Sequence, residues 1–319
     1  MITRQEIVSL FEQYDVITIF RHTHPDCDAV GSQFGLKQWL KENYPWKQVY
    51  ALGTEQCSQG IFPPNDEASE ELISQSLAVV LDSATAERTD DQRFLQAAYI
   101  LRIEHHPVSD DFGNAMYIYT EAAATCELLT EIFAEQSEKQ FSSVTAVYLY
   151  KGLLTDTLCF RTSNTTGKTL SAAAVLANKG IDIPGINREL FDQSLSSFQF
   201  ASFVRSRLDI PYPGFGSVLI TLEDQKNWNI DSSEAKTYID EIGHISDLQA
   251  WVLFVERLQE QTIVYDGSLR SKSIPINGVA SVYRGGGHKN AAGVKGLSKN
   301  EYLRILKDII QEMSSIETN

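Results

Sequence analysis

Along the first two thirds of the chain, short β-branched apolar runs alternate with stretches of helical spacing. Val16–Phe20 is a compact apolar run, and Phe34, Leu36, Trp39 and Leu40 then recur at helical spacing within Ala29–Tyr44. Leu77–Leu81 (LAVVL) and Ala98–Ile103 (AYILRI) read as two further buried strands. Thr120–Glu135 carries Leu128, Leu129, Ile132 and Phe133 as one apolar stripe of a helix, and Val144–Tyr150 (VTAVYLY) reads as a fourth strand. This alternation predicts an α/β fold built on a doubly wound, mostly parallel sheet.

The rhythm changes near Gly180. Ile183–Ile186 (IPGI) interrupts it, and a polar stretch with Phe191, Phe198, Phe200 and Phe203 reads as a linker helix. GFGSVLITL from Gly214, the strand AWVLFVER (250–257), the hairpin-like QTIVYDGSLRSKS and a glycine-rich loop into a final helix, Lys299–Met313, predict a second, smaller α/β domain. The expected division is 1–185, a linker over 186–212, and 213–319.

Composition narrows the function. The 319 residues are 43 % hydrophobic and 22 % charged, an ordinary globular balance. No apolar run approaches the ~18 residues of a membrane span. The N-terminus MITRQEIVSLFEQYD lacks the apolar core of a secretory signal, so a cytoplasmic protein is expected, with no membrane partner. Cys27, Cys57, Cys126 and Cys159 lie far apart and read as free thiols. The net charge of −15 opposes a stable grip on long nucleic acid, which needs a basic track. Most of the acid excess lies before residue 205, so the C-terminal part is the better receiver of an anionic ligand.

The candidate chemistry sits where the apolar runs end. The first strand runs into Arg21-His22-Thr23-His24-Pro25-Asp26-Cys27-Asp28, the second ends at Asp82, the third at Glu104-His105-His106, and the fourth leads through GLLT to Asp156. In open parallel sheets the carboxyl ends of the strands form the ligand crevice. A lone strand-end Asp is usually a cap, but converging carboxylates and imidazoles repel one another unless cations lie between them. Mixed Asp/His donors suit divalent Mn, Fe or Co better than Ca or Mg. Two such ions about 3.5–4 Å apart activate water and stabilise in-line displacement at phosphorus.

HTHPDCDAVGS, VVLDS, EHHP, GLLTDT and the terminal GGGHKNAAG, in that order, resemble the successive motifs of the DHH phosphoesterase superfamily. The resemblance spans nearly the whole chain, and its length fits the compact nano-RNase/pAp-phosphatase branch with a DHH-associated C-terminal domain. It implies two divalent metal ions, Mn2+ foremost, with His22 and Asp26 on one and Asp28, His105 and Asp156 on the other. Asp82 would bridge both, and His106 would contact the scissile phosphate. His24 falls at a position the family leaves variable. The motif reads Glu104-His105-His106 rather than Asp-His-His, and Glu104 is expected to orient an imidazole.

In the C-terminal domain, Gly285, Gly286, Gly287 and His288 would let backbone N–H groups approach a phosphate, with added anion affinity if His288 opens the following helix. Arg270 and Lys272 are candidate phosphate clamps. Phe160, Arg161 and Asn164 could line a base pocket, with core packing the alternative for Phe160. The expected activity is two-metal hydrolysis of short oligoribonucleotides or linear dinucleotides such as pApA to mononucleotides, and of pAp to AMP. Small nucleotides and short RNA are then the partners, and a homodimer is compatible with the pattern. A pyrophosphatase or exopolyphosphatase of the same superfamily, and a nucleotide-binding module without turnover, are the alternatives.

Overall fold

The computed structural model describes residues 1–56, 60–107 and 110–317, which form two compact units, Met1–Asp192 and Gln193–Asn319. Cys57 lies outside the described residues.

The first unit contains α1 (Arg4–Gln13), β1 (Val16–Phe20), α2 (Cys27–Asn43), β2 (Gln48–Ala51), α3 (Glu70–Ser74) and β3 (Leu77–Leu81). It continues with β4 (Tyr99–Glu104), β5 (Ala115–Ile118), α4 (Thr125–Ala134), α5 (Ser143–Asp156), α6 (Gly167–Ala177) and α7 (Ile183–Phe191). Its sheet is wholly parallel, in the order β2-β1-β3-β4-β5. The α/β, doubly wound architecture expected from the alternation is therefore present. Period-two alternation splits each strand between two cores. Ile17, Ile19, Leu77, Val79 and Leu81 pack with α2, α4 and α5, whereas Phe20, Ala78 and Val80 pack with Ile73 and Phe94 on the other face. The order reverses at β1/β3, the topological switch point where such sheets open a crevice.

One expected strand is a helix. Val144–Tyr150 lies inside α5, whose start is fixed by Ser142 Oγ accepting the Thr145 N–H at 3.2 Å. Its apolar residues occur on most sides because the helix is buried against α2, so no polar face betrays the 3.6 period. Two glycines allow that close crossing. A Cβ at Gly31 would lie 2.6 Å from Tyr148 O, and one at Gly152 would lie 2.9 Å from both Asp28 Cα and Cys27 O. Likewise α4 begins at Thr125, and IPGI, read as an interruption, opens α7 with Pro184 in its first turn.

The second unit contains α8 (Leu195–Ser206), β6 (Asp209–Tyr212), β7 (Phe215–Ile220), α9 (Leu222–Trp228), α10 (Ser232–Thr237) and β8 (Ala250–Gln259). Then come β9 (Thr262–Ser271), α11 (Ile276–Val282), β10 (Gly286–His288), β11 (Ala291–Leu297) and α12 (Lys299–Glu317). Its mixed sheet runs β10-β11-β9-β8-β7-β6. Residues 186–212, read as one linker helix, hold most of α7, all of α8 and β6. The glycine-rich segment is not a loop leading into the last helix: Gly286–His288 pairs antiparallel with β11, so His288 ends an edge strand and opens no helix. Its three residues are too few to show a strand period in the sequence.

Candidate metal centre

The carboxylates of the first unit come from α2, β3 and α5, and local devices hold those of α2 and β3. Asp26 is the N-cap of α2. Its Oδ1 accepts the N–H groups of Asp28 (3.0 Å) and Ala29 (2.9 Å), which leaves Oδ2 to face His22 Nε2 at 3.7 Å. Asp28, one residue into α2, is buried. Its two oxygens accept the Thr125 and Cys126 N–H groups at 2.7 and 2.9 Å, so this carboxylate caps α4. Asp82 follows β3 with φ +53°, a left-handed conformation that Asp tolerates better than most side chains. The buried Arg102 secures that turn by donating to Ser83 O (3.1 Å) and Ala84 O (2.8 Å). Asp156 is the last residue of α5, not a strand end.

These groups converge. His22 Nε2 lies 3.4 Å from Asp82 Oδ2, and His105 Nε2 lies 3.4 Å from Asp82 Oδ1, so the Asp82 carboxylate stands between the two imidazoles. His105 Nε2 is also 3.9 Å from Asp28 and 3.5 Å from Asp156. Among the described residues, His22/Asp26/Asp82, Asp28/His105/Asp156 and Asp82/His105/His106 are groups whose donor atoms are close enough to hold a metal ion. Both imidazoles are pre-set for it. His22 Nδ1–H donates to Thr23 O (2.7 Å) and His105 Nδ1–H to Ala122 O (3.2 Å), which turns each Nε2 toward the carboxylates.

The electrostatics point the same way. Burial, then Asp82 and Asp156, pushes the Asp28 carboxyl well above the usual range. Burial likewise lifts Asp156 to about 6 against the pull of His105. Burial opposes charge on His22 and His105, yet their carboxylate partners outweigh it and raise both to about 10. Asp82 is buried too, but the hydrogen bonds from His105 and His22 hold it well below the ordinary carboxylate range. Without metal, protons on two imidazoles do the work of cations. The donor chemistry therefore fits divalent ions.

Glu104, fully buried at the end of β4, holds His106 rather than His105. Its Oε1 accepts the His106 N–H at 2.7 Å and Nδ1–H at 2.5 Å. His106 is half-exposed, and its Nε2 is left for a ligand. His24 lies apart from the cluster, its side chain 92 % exposed. The supporting groups that the sequence reading did not anticipate are Thr125, whose hydroxyl donates to Asp82 Oδ1 at 3.2 Å, and the carbonyls of Thr23 and Ala122. Backbone acceptors leave no trace in a sequence. The TCE that opens α4 after three alanines was the one readable signal.

Phe160 is partly buried against the main core, while Arg161 and Asn164 are exposed in the turn after Asp156. In the second unit, register places His288, Ala291, Arg270 and Trp251 in one row across β10, β11, β9 and β8. The next row on that face is Gly286, Gly293 and Ser268. An added Cβ at Gly286 would meet nothing within 4 Å, and one at Gly293 only Gly267 O at 3.6 Å. The result is an almost side-chain-free floor flanked by Arg270 and His288. Gly287 has φ +140°, and a Cβ there would lie 2.4 Å from Ala291 O, so only glycine closes this hairpin. Lys272 is otherwise engaged: its ammonium donates to Ile245 O (3.0 Å) and Ser246 O (2.7 Å).

Comparison with known proteins gives a concordant result. Residues 16–153 match the DHH family, N-terminal domain, and residues 216–315 match the DHHA1 domain. The chain is 33 % identical over 308 residues to the bifunctional oligoribonuclease and PAP phosphatase of Bacillus subtilis, covering 96 % of this chain and 97 % of that one. It is also 33 % identical to the probable enzyme of that description from Streptococcus mutans, covering 97 % of each chain. An exopolyphosphatase-related protein from Bacteroides fragilis superposes with a TM-score of 0.81 at 22 % identity, covering 99 % of this chain and 97 % of that one, a likeness of fold.

Proposed function

This chain belongs to the DHH family, and on that premise we propose that it is a divalent-metal phosphoesterase acting on short oligoribonucleotides, pApA and pAp. The observation that carries the reading is Asp82, whose two carboxylate oxygens each face a different Nε2 at 3.4 Å. That is the arrangement a bridging ligand between two ions requires. In this reading His22 and Asp26 would hold one ion, Asp28, His105 and Asp156 the other, and Asp82 would be shared by both. Mn2+ is the first candidate, since nitrogen and oxygen donors are mixed. When bound, such ions supply an activated water and positive charge for the phosphoryl oxygens.

The chain's own residues do the rest. His106, its Nδ1 fixed by Glu104, presents Nε2 to the scissile phosphate. Arg270 and His288 would grip a second phosphate, with the glycine row beside theirs receiving flat or anionic groups. Neither grip extends along a strand, and the net charge of −15 repels a longer one. Cys126 and Cys159 are free thiols, which fits a cytoplasmic setting. Among the described residues no helix is long and apolar enough to cross a membrane.

Purified protein with Mn2+ is assayed against pApA, pAp, short RNA, pyrophosphate and polyphosphate. Turnover of the first three is expected, and turnover confined to the last two would replace this reading with that of a pyrophosphatase or exopolyphosphatase.

A further inference from the structure

His22 and His105 are each backed by a peptide unit, and each of those peptides is backed by a glutamate. His105 Nδ1–H donates to Ala122 O at 3.2 Å, and the N–H of the same peptide, that of Ala123, donates to Glu127 Oε2 at 3.0 Å. His22 Nδ1–H donates to Thr23 O at 2.7 Å, and the N–H of that peptide, belonging to His24, donates to Glu55 Oε2. In a trans peptide the C=O and N–H point opposite ways, so each chain runs imidazole, peptide, carboxylate with its dipoles head to tail. Hydrogen bonds in such a chain polarise one another, most strongly when the last acceptor is charged.

We infer that Glu127 and Glu55 are positioning residues for the metal centre, each acting through one peptide bond on one histidine: Glu127 on His105, Glu55 on His22. The carboxylate draws the peptide N–H and makes its carbonyl a stronger acceptor. That carbonyl pulls harder on Nδ1–H, fixes the ring and leaves Nε2 a better donor to a cation. The inference rests on the reading of the cluster as a metal centre.

The surroundings support an unequal pair. Glu127 is only 1 % exposed, and the Thr169 hydroxyl also hydrogen-bonds it. Ala122, Ala123 and Ala124 are all buried, small enough for the backbone to thread between the acid and the ring. The same turn of α4 supplies the Thr125 and Cys126 N–H groups that hold Asp28, so it orients two donors of the Asp28/His105/Asp156 group. The Glu55 side chain is 36 % exposed and also faces His24 Nδ1 at 3.3 Å. Water screens it, and its influence is the weaker.

A purely structural role is distinguishable. Glu127 occupies the third position of α4, where Glu and Gln serve a helix cap equally well. If capping were its only task, Glu127→Gln would change nothing at the metals.

The test titrates metal-free full-length protein with Mn2+, following bound and free ion by electron paramagnetic resonance. Wild type is expected to fill two sites. Glu127→Gln weakens one of them about tenfold, the low end for such orienting partners. Glu55→Gln weakens the other by less, and Glu127→Asp recovers part of the loss. In the metal-free proteins, the His105 Nδ1–H proton resonance moves upfield in Glu127→Gln and that of His22 in Glu55→Gln, each without the other. Unchanged affinity in both Gln variants, or equal weakening of both sites by either one, overturns the inference. Wild type that binds no ion overturns instead the metal reading itself. Should Gln at the buried position 127 fail to fold, the partly exposed Glu55 still decides: a folded Glu55→Gln with wild-type affinity and an unmoved His22 resonance sinks the proposal.

Discussion

Glu104 binds His106 twice, through the backbone N–H at 2.7 Å and the ring Nδ1–H at 2.5 Å, both on Oε1. One buried oxygen thus sets both the chain direction and the ring orientation of the residue beside His105. His106 accordingly has its pKa raised, the Glu104 hydrogen bond being the foremost cause.

Glu104→Ala should lower kcat by about 10–100-fold while both metal ions remain bound, because the hydrogen bonds of the Glu104 carboxylate go to His106, which belongs to neither assigned ion-binding set. Glu104→Asp should stay within about tenfold of wild type. Steady-state kinetics and metal analysis together check this. Loss of an ion in Glu104→Ala would make Glu104 part of the coordination instead.

Asp82→Asn should fold and lose turnover, since Asn tolerates φ +53° but cannot bridge two cations. Asp82→Ala should lose turnover equally and cost about 1 kcal/mol more in stability, for the left-handed backbone it cannot easily adopt. Metal content and urea unfolding separate the two effects. Two ions still bound to Asp82→Ala would remove the bridge.

Metal binding should release protons. The folded pKa values of His22 and His105, about 10, stand above the ordinary 6.5. Their charge therefore stabilises the metal-free protein fully below 6.5, and that contribution is lost as pH rises through 10. Asp156, raised from 3.8 to about 6, acts with the same sign between those two values. At pH 7 an entering cation must displace the imidazole protons, so affinity should rise with pH and about two protons should leave per filled centre. Calorimetry in buffers of different ionisation enthalpy counts them, and no buffer dependence would mean neutral imidazoles.

The segment bearing His22 should depend on a buried ion pair outside the cluster. Arg21 Nη1 and Asp90 Oδ2 are 2.8 Å apart, with side chains 0 % and 2 % exposed. Asp90 also accepts the Thr54 and Glu55 N–H groups at 2.8 and 3.0 Å. Asp90→Ala should destabilise by about 3–5 kcal/mol, the usual cost of removing one partner of a buried ion pair. Burial raises the Asp90 pKa, but Thr54, Glu55 and Arg21 together bring it below 3.8. Its contribution is present above 3.8 and fades as pH falls further. Urea titrations of both proteins at pH 7 and pH 3 should show the gap narrowing at the lower pH.

Arg270→Ala and His288→Ala should lower kcat/KM for pApA and short RNA about a hundredfold, near 2.7 kcal/mol of lost transition-state stabilisation. Their effect on a minimal phosphodiester with no second phosphate should be much smaller. Equal losses on both substrate types would place the two residues in the chemistry itself.

The residues that converge in the first unit were legible before the fold. His22, Asp26, Asp28, Asp82, His105 and Asp156 follow apolar runs that are hard to read as anything but buried elements, and identity and order along a chain are one-dimensional facts. The strands β1, β3 and β4 were likewise legible, since short runs dominated by β-branched and aliphatic residues leave little choice. The short strands β2 and β5, of four residues each, were not. Neither was α5, because a helix buried on most sides loses the polar face that carries its period, and only the packing of α2 against it at Gly31 and Gly152 decided the matter. The part played by Glu104, the row that joins His288 to Arg270, and the glutamates behind Thr23 and Ala122 also waited for tertiary structure. Each depends on a backbone carbonyl or amide, or on strand register. Every residue carries those groups alike, so only three-dimensional proximity distinguishes the ones that do chemistry.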